Sequence, residues 1–214
     1  VSSTPGNSTA SSTPGATPAS TPGATPDSTP DSTYTLTTAT PDDTRAAARG
    51  LSALLEPGDV VALSGDLGAG KTCFVQGAAA ALGVELPVTS PTFVLVKLLP
   101  GRIPVVHVDV YRLERLRDVH DLGEDVFAPD VVTFVEWGDT IRGLLPDDRL
   151  EVALTHVDQP GAHAAGTSAE ASPAAGASAD DPEGALPRSI EVRAYGTTWQ
   201  RRADALAAAC AAWT

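Results

Sequence analysis

Along this chain, short apolar runs rich in β-branched residues alternate with stretches whose apolar positions recur at helical spacing, a pattern that predicts an α/β fold. Residues 33–37 (TYTLT) alternate β-branched or aromatic positions with others and read as a first strand at a sheet edge. Pro41-Asp42-Asp43-Thr44 opens a helix in which Asp42 or Asp43 caps free N–H groups; Ala46, Leu51, Leu54 and Leu55 mark its buried side, and Pro57-Gly58 ends it. Val60-Val61-Ala62-Leu63 has the unbroken apolar character of a buried strand. Residues 71–82 follow without Pro, with Phe74, Val75 and Ala78 at helical spacing, and stop at Gly83.

Further on, residues 88–93 (VTSPTF) form a polar pivot into a strand over 93–98, and Pro100-Gly101 turns the chain into a second strand, 105–111, with polar residues at alternate positions. This pair reads as an antiparallel hairpin grafted on a parallel sheet. Residues 113–121 are charged and read as helical, and 123–128 as one further short helical turn. Residues 131–135 make the most uniformly apolar strand, ending in Glu136-Trp137; a helix over 139–144 leads to Pro146, and 149–155 alternate as another strand. Residues 189–194 supply its hairpin partner, and 198–213 an alanine-rich helix whose apolar side carries Leu206 and Cys210.

Composition removes two segments from this core. Residues 13–32 repeat TPGA, TPAS, TPGA, TPDS and TPDS, which offers little to bury and withholds backbone donors, so 1–32 read as a disordered tail. Residues 158–187 lapse into Ala, Gly, Ser and Pro and read as a flexible insertion. The core is thus 33–157 plus 188–214, a single domain with a mixed sheet whose central strands are parallel and flanked by helices. With 14 Lys and Arg against 27 Asp and Glu, the formal charge is −13, which excludes a general basic footprint for nucleic acid. Contact with RNA is then expected through a partner. No apolar run reaches membrane-spanning length, and the two cysteines, Cys73 and Cys210, have neither disulfide-framework nor metal-site spacing. The expected location is the cytoplasm.

Candidate chemistry centres on Gly65-Asp66-Leu67-Gly68-Ala69-Gly70-Lys71-Thr72, a full match to G-x-x-x-x-G-K-[ST] with the strand before it and the helix after it that the motif requires. The glycines expose backbone N–H groups to phosphate oxygens, the helix N-terminus adds partial positive charge, Lys71 reaches the β and γ phosphates, and Thr72 ligates Mg²⁺. A magnesium site of this kind needs a second acid at a neighbouring strand end. Asp109, ending VVHVD, and Glu136, ending VVTFVE, both qualify; the more apolar strand before Glu136 favours it as ligand, leaving Asp109 to position water near the γ-phosphate. His107 shares a strand face with Asp109 and either orients it, senses phosphate, or is a structural histidine. Among Arg112, Arg115 and Arg117, interleaved with Glu114 and Asp118, a solvated helix is the default reading and Arg112 the exception. Cys73 follows the loop at a helix N-terminus, where its pKa could fall, although a small buried residue is the default. Trp137 is placed to stack on a base or to pack against its neighbouring helix.

GDLGAGKT, VTSPTF, HVDVYRLE and VEW, in this order and at these intervals, resemble the bacterial TsaE (YjeE) family of small P-loop ATPases required for N6-threonylcarbamoyladenosine on tRNA. The likeness runs from about Thr44 to Leu150; the tail and the insertion have no counterpart, and Cys73 stands where a second Thr is common. The resemblance implies a P-loop NTPase fold and ATP with Mg²⁺ as ligands. It places phosphate on Lys71 and the backbone around Gly68–Gly70, and metal on Thr72 and Glu136. It also implies a catalytic or switch role for Asp109, a nucleotide-responsive Ser90-Pro91-Thr92 turn, and Trp137 at the active face. The implied partners are TsaD, which carries out the transfer, and TsaB; hydrolysis resets their complex, and tRNA is met only through it. Two other readings fit the same loop: a small-molecule kinase with Asp109 as base and Arg112 on the transferred phosphate, and a nucleotide-gated interaction module that does not hydrolyse.

Overall fold

The computed structural model describes residues 29–111, 124–157 and 186–214. The expected tail up to residue 28, the helix over 113–121 with Arg112, Arg115 and Arg117, and the insertion over 158–185 lie outside these residues. Among them, seven strands form one sheet: β1 (Ser32–Thr38), β2 (Val60–Ser64), β3 (Val96–Leu99), β4 (Val105–Asp109), β5 (Val132–Glu136), β6 (Arg149–His156) and β7 (Arg188–Tyr195), in the spatial order β1-β7-β6-β2-β5-β4-β3. β2 runs parallel to both β5 and β6, and β4 parallel to β5; β3 and β7 are antiparallel to their neighbours. The mixed sheet with a parallel centre is thus as expected. Its centre is buried on both sides, which explains why VVALS and VTFVE read as continuous apolar runs. Alternate residues of β2 serve opposite faces. Val61 and Leu63 pack with one cluster that holds Phe74, Ala78 and Leu206, while Val60 and Ala62 pack with Val135, Ile141 and Leu145 on the other. Burying a side chain such as Phe74, 1% exposed, contributes about 1.5–3 kcal/mol.

Helix α1 (Pro41–Ser52) is fixed at its start by Thr40, whose side chain accepts from Asp43 N while the Asp43 carboxylate accepts from Thr40 N. The cap is therefore Thr40, with Asp43 in the reciprocal role. Helix α2 (Lys71–Ala81) packs on α1 at close range: a Cβ on Gly77 would sit 2.2 Å from Arg45 O.

Three elements depart from the sequence reading. Residues 93–95 are not strand, because Val94 and Leu95 both donate to Pro91 O and Leu95 takes φ 64; β3 begins only at Val96. Residues 138–144 form 3₁₀ turns instead of an α-helix, with Gly138 pressed so close to Ala62 that a Cβ would come within 2.7 Å of its methyl group. The final helix is broken into α3 (Thr197–Arg201) and α4 (Ala203–Ala211) at Arg202, whose guanidinium is drawn to Asp59 at 2.6 Å. At the N-terminal edge the folded body includes Asp31, whose carboxylate accepts from Gly196 N, and Ser32, which opens β1. No described helix is long and apolar enough to cross a membrane.

Candidate functional site

The parallel arrangement delivers the carboxyl ends of β2, β4 and β5 to one edge of the sheet, where Gly65, Asp109 and Glu136 emerge. Between β2 and α2 the loop turns on Gly65, Gly68 and Gly70, with φ of 132, 82 and 103. At Gly65 conformation and space coincide, since a Cβ there would lie 2.2 Å from Leu154 O. Ala69 N bonds Asp66 O and Phe74 N bonds Gly70 O, so the loop passes directly into the helix and aims its N-terminus at the loop's hollow.

Lys71 is only 5% exposed. Its Nζ donates to Gly65 O at 2.7 Å and Asp66 O at 2.9 Å, and lies 3.7 Å from the centre of the Trp137 ring. Burial pushes its pKa below the ordinary lysine value, against the opposing pull of the Glu136, Asp109, Asp139 and Asp66 charges. Trp137 in turn meets the Tyr111 ring at 4.9 Å, and it holds φ 62 and ψ 32. A bulky residue in left-handed backbone is strained, and the described non-glycine residues with positive φ are Trp137 and Leu95, both beside this site. The ring lies against the lysine.

Thr72, one residue on, donates to Glu136 Oε1 at 2.8 Å and lies 3.1 Å from Oε2. The acid therefore lies on the same side of the sheet as the threonine. His107 Nε2 meets the same Oε1 at 2.8 Å, and since the carboxylate only accepts, Nε2 carries the proton. Of the readings left open for His107, orienting Asp109 two residues along its own strand is not what the geometry shows; the ring crosses to the neighbouring strand. The register explains this. Asp109 sits opposite Glu136, so His107 is the diagonal neighbour of Glu136 on one sheet face. Asp109 is held from another direction: its Oδ2 accepts from Ser90 at 2.8 Å and Thr92 at 2.6 Å, and its Oδ1 from Tyr111 N at 3.0 Å. The Ser-Pro-Thr turn is thus tied to the acid at the end of β4.

Two oxygens about 3 Å apart, one hydroxyl and one carboxylate, fit adjacent positions around Mg²⁺, whose ligands lie at about 2.1 Å in octahedral array. The second-layer donor also fits, because His107 fixes the orientation of the carboxylate. Among the described residues no three His, Cys, Asp or Glu side chains converge as a self-sufficient metal cage. The loop's other members divide by role. Leu67 points outward, 82% exposed, and Asp66 contributes its carbonyl to Lys71. Cys73 turns its thiol to Pro41 O at 3.2 Å, and burial raises its pKa. At Cys73 burial thus outweighs the lowering pull of the nearby Arg45 and Arg188 charges. Arg188, given no role from the sequence, comes to the outer side of the loop, with Nε 3.2 Å from Ala69 O. Its partner lies 119 positions away, and no local pattern marks it.

Residues 38–163 match the family model described as threonylcarbamoyl adenosine biosynthesis protein TsaE. The chain is 43% identical over 119 residues to the tRNA threonylcarbamoyladenosine biosynthesis protein TsaE of Bacillus subtilis, covering 55% of this chain and 74% of that one. It is 46% identical over 114 residues to the protein of the same name from Streptomyces coelicolor, covering 51% and 77%. With that of Mycobacterium tuberculosis H37Rv the identity is 42% over 133 residues, covering 58% and 79%. The crystal structure of Bacillus subtilis YdiB superposes with a TM-score of 0.57 at 29% identity, covering 83% of this chain and 95% of the other.

Proposed function

The chain belongs to the TsaE family of tRNA threonylcarbamoyladenosine biosynthesis proteins, and from that premise we propose that it is a Mg²⁺-dependent ATPase whose hydrolysis serves this modification through protein partners. The observation that carries the reading is the contact of Thr72 Oγ1 with the Glu136 carboxylate at 2.8 Å, at the head of the helix that the phosphate loop opens. In this reading the amides of Gly68–Gly70 receive phosphate oxygens, and Lys71 exchanges its two carbonyl partners for the β and γ phosphates. Thr72 and Glu136 hold Mg²⁺, which when bound offsets the charge that develops on the transferred phosphoryl group. Asp109, gripped by Ser90 and Thr92, positions the attacking water, and its ties pass the state of the γ-phosphate to the Ser90-Pro91-Thr92 turn.

Two features support action on other proteins in place of direct contact with tRNA. The formal charge of −13 opposes a phosphate backbone, and Leu67, Phe93 and Val94 are exposed beside the site, 82%, 87% and 61%. By family resemblance the partners are TsaB and TsaD, and the cytoplasm is the place of action. Phosphate release from ATP, measured with the chain alone and with purified TsaB and TsaD, tests the proposal. Turnover should depend on Mg²⁺, vanish in Lys71→Ala and respond to the partners. A rate indifferent to all three refutes it, and phosphate recovered on an acceptor instead of in water identifies a kinase.

A further inference from the structure

Arg188 has no part in the assignments above, yet it is built into the loop. It is the first residue of β7, and because β7 runs antiparallel to β6 it lies at the phosphate-loop end of the sheet. Its side chain is 2% exposed. Nε donates to Ala69 O at 3.2 Å and Nη1 to Leu186 O at 3.4 Å. Among the described residues no carboxylate forms an ion pair with it. A guanidinium keeps its charge when buried, and a buried charge without a counter-charge is costly.

The peptide geometry specifies how. In a trans peptide the C=O of one residue and the N–H of the next point in opposite directions. A charged donor that draws Ala69 O outward therefore turns the Gly70 N–H inward, to the hollow of the loop. The glycine and the arginine also share space: a Cβ on Gly70 would meet Arg188 Nε at 3.1 Å and Cδ at 3.4 Å, and Gly70 has φ 103. Gly70 is thus required both by its backbone and by the arginine packed on it.

We propose that Arg188 is a positioning residue for nucleotide binding, fixing the Ala69–Gly70 peptide so that the Gly70 N–H faces the bound phosphate and setting a permanent positive charge behind it. This rests on the nucleotide reading given above. The experiment uses the full chain, with ADP and Mg²⁺ as the probe, followed by calorimetric titration and by the Gly70 amide resonance in ¹⁵N-labelled protein. Arg188→Met keeps the packing of the stem and removes the guanidinium; Arg188→Lys keeps charge and one donor. Arg188→Met should bind at least about tenfold more weakly and lose most of the downfield shift of the Gly70 amide, and Arg188→Lys should recover both to within about threefold. Wild-type affinity and a wild-type Gly70 shift in Arg188→Met overturn the proposal. If Arg188→Met does not fold, Arg188→Gln, a neutral donor, decides: weaker binding than Arg188→Lys supports it, and binding equal to wild type overturns it. Absence of any ADP binding by the wild-type chain would instead overturn the nucleotide reading itself, a result distinct from equal binding by wild type and variant.

Discussion

Glu136→Gln removes a charge while leaving the shape of the side chain, and its expected effects on stability and on activity differ sharply. The carboxylate is 3% exposed, receives Thr72 and His107, and has no Lys or Arg within ion-pairing distance among the described residues. Hydrogen bonds to a charged group are worth about 1.5–3 kcal/mol each and neutral ones about 0.5–1.5. For two donors the substitution thus forfeits about 2–3 kcal/mol. Against this, the buried charge carries a desolvation cost of several kcal/mol that the amide relieves. The amide fits the pocket if its oxygen turns to His107 Nε2–H and its NH₂ to Thr72 Oγ1. Nucleotide-free stability should therefore change by no more than about 1 kcal/mol, about 2–4 °C in Tm. Activity should not be spared: weakening the hold on a Mg²⁺ that offsets developing charge lowers kcat by about 10²–10³. Thermal unfolding of the nucleotide-free protein and phosphate release across a Mg²⁺ titration measure the two effects. An unchanged rate with an unchanged Mg²⁺ requirement would refute the metal assignment. A stability loss of several kcal/mol would show the acid to be a structural member of the sheet edge.

Lys71 gives a pH prediction with a definite sign. Burial lowers its folded pKa below the ordinary 10.5, so between that lowered value and 10.5 the unfolded chain binds more protons than the folded one, and stability relative to Lys71→Met should rise with pH there. Urea unfolding at a series of alkaline pH values checks it, and parallel curves for the two proteins contradict it. Gly77→Ala should cost about 1–3 kcal/mol in chemical denaturation, because the new Cβ meets Arg45 O at 2.2 Å and Arg45 Cα at 2.6 Å, forcing the α1 backbone off α2; no change would mean that the helices part freely. Burial raises Cys73 and pushes Cys210 up to about 11, so at about pH 8 neither thiol should react quickly with a disulfide reagent until the protein unfolds. Rapid labelling of the native chain would contradict that.

What could be read before the structure was what lies close together along the chain. Residues 65–72 are contiguous, so the phosphate loop is complete in one glance, and the periodicity of β2 and α2 on either side supplies the context it requires. Thr72 and Glu136 are 64 positions apart, and their contact follows from β2 and β5 being sheet neighbours; an apolar run before Glu136 suggested a central strand, which was enough to favour that acid. Spacing alone left the partner of His107 open. A same-strand neighbour at i+2 is visible in the sequence, whereas the diagonal neighbour on the next strand depends on a register that one shifted residue would abolish. The same limit applies to Arg202, whose pairing with Asp59 across 143 positions accompanies a break in an alanine-rich helix with no Gly or Pro to announce it. Buried charged groups were the hardest to read, because a lone arginine or histidine in a strand has the same local sequence whether it faces solvent or a site. Such groups are costly unless something compensates them. In this fold Lys71, His107, Asp109, Glu136 and Arg188 are all buried within or against the phosphate-loop end of the sheet, brought together there from three strands and a helix that no local pattern links.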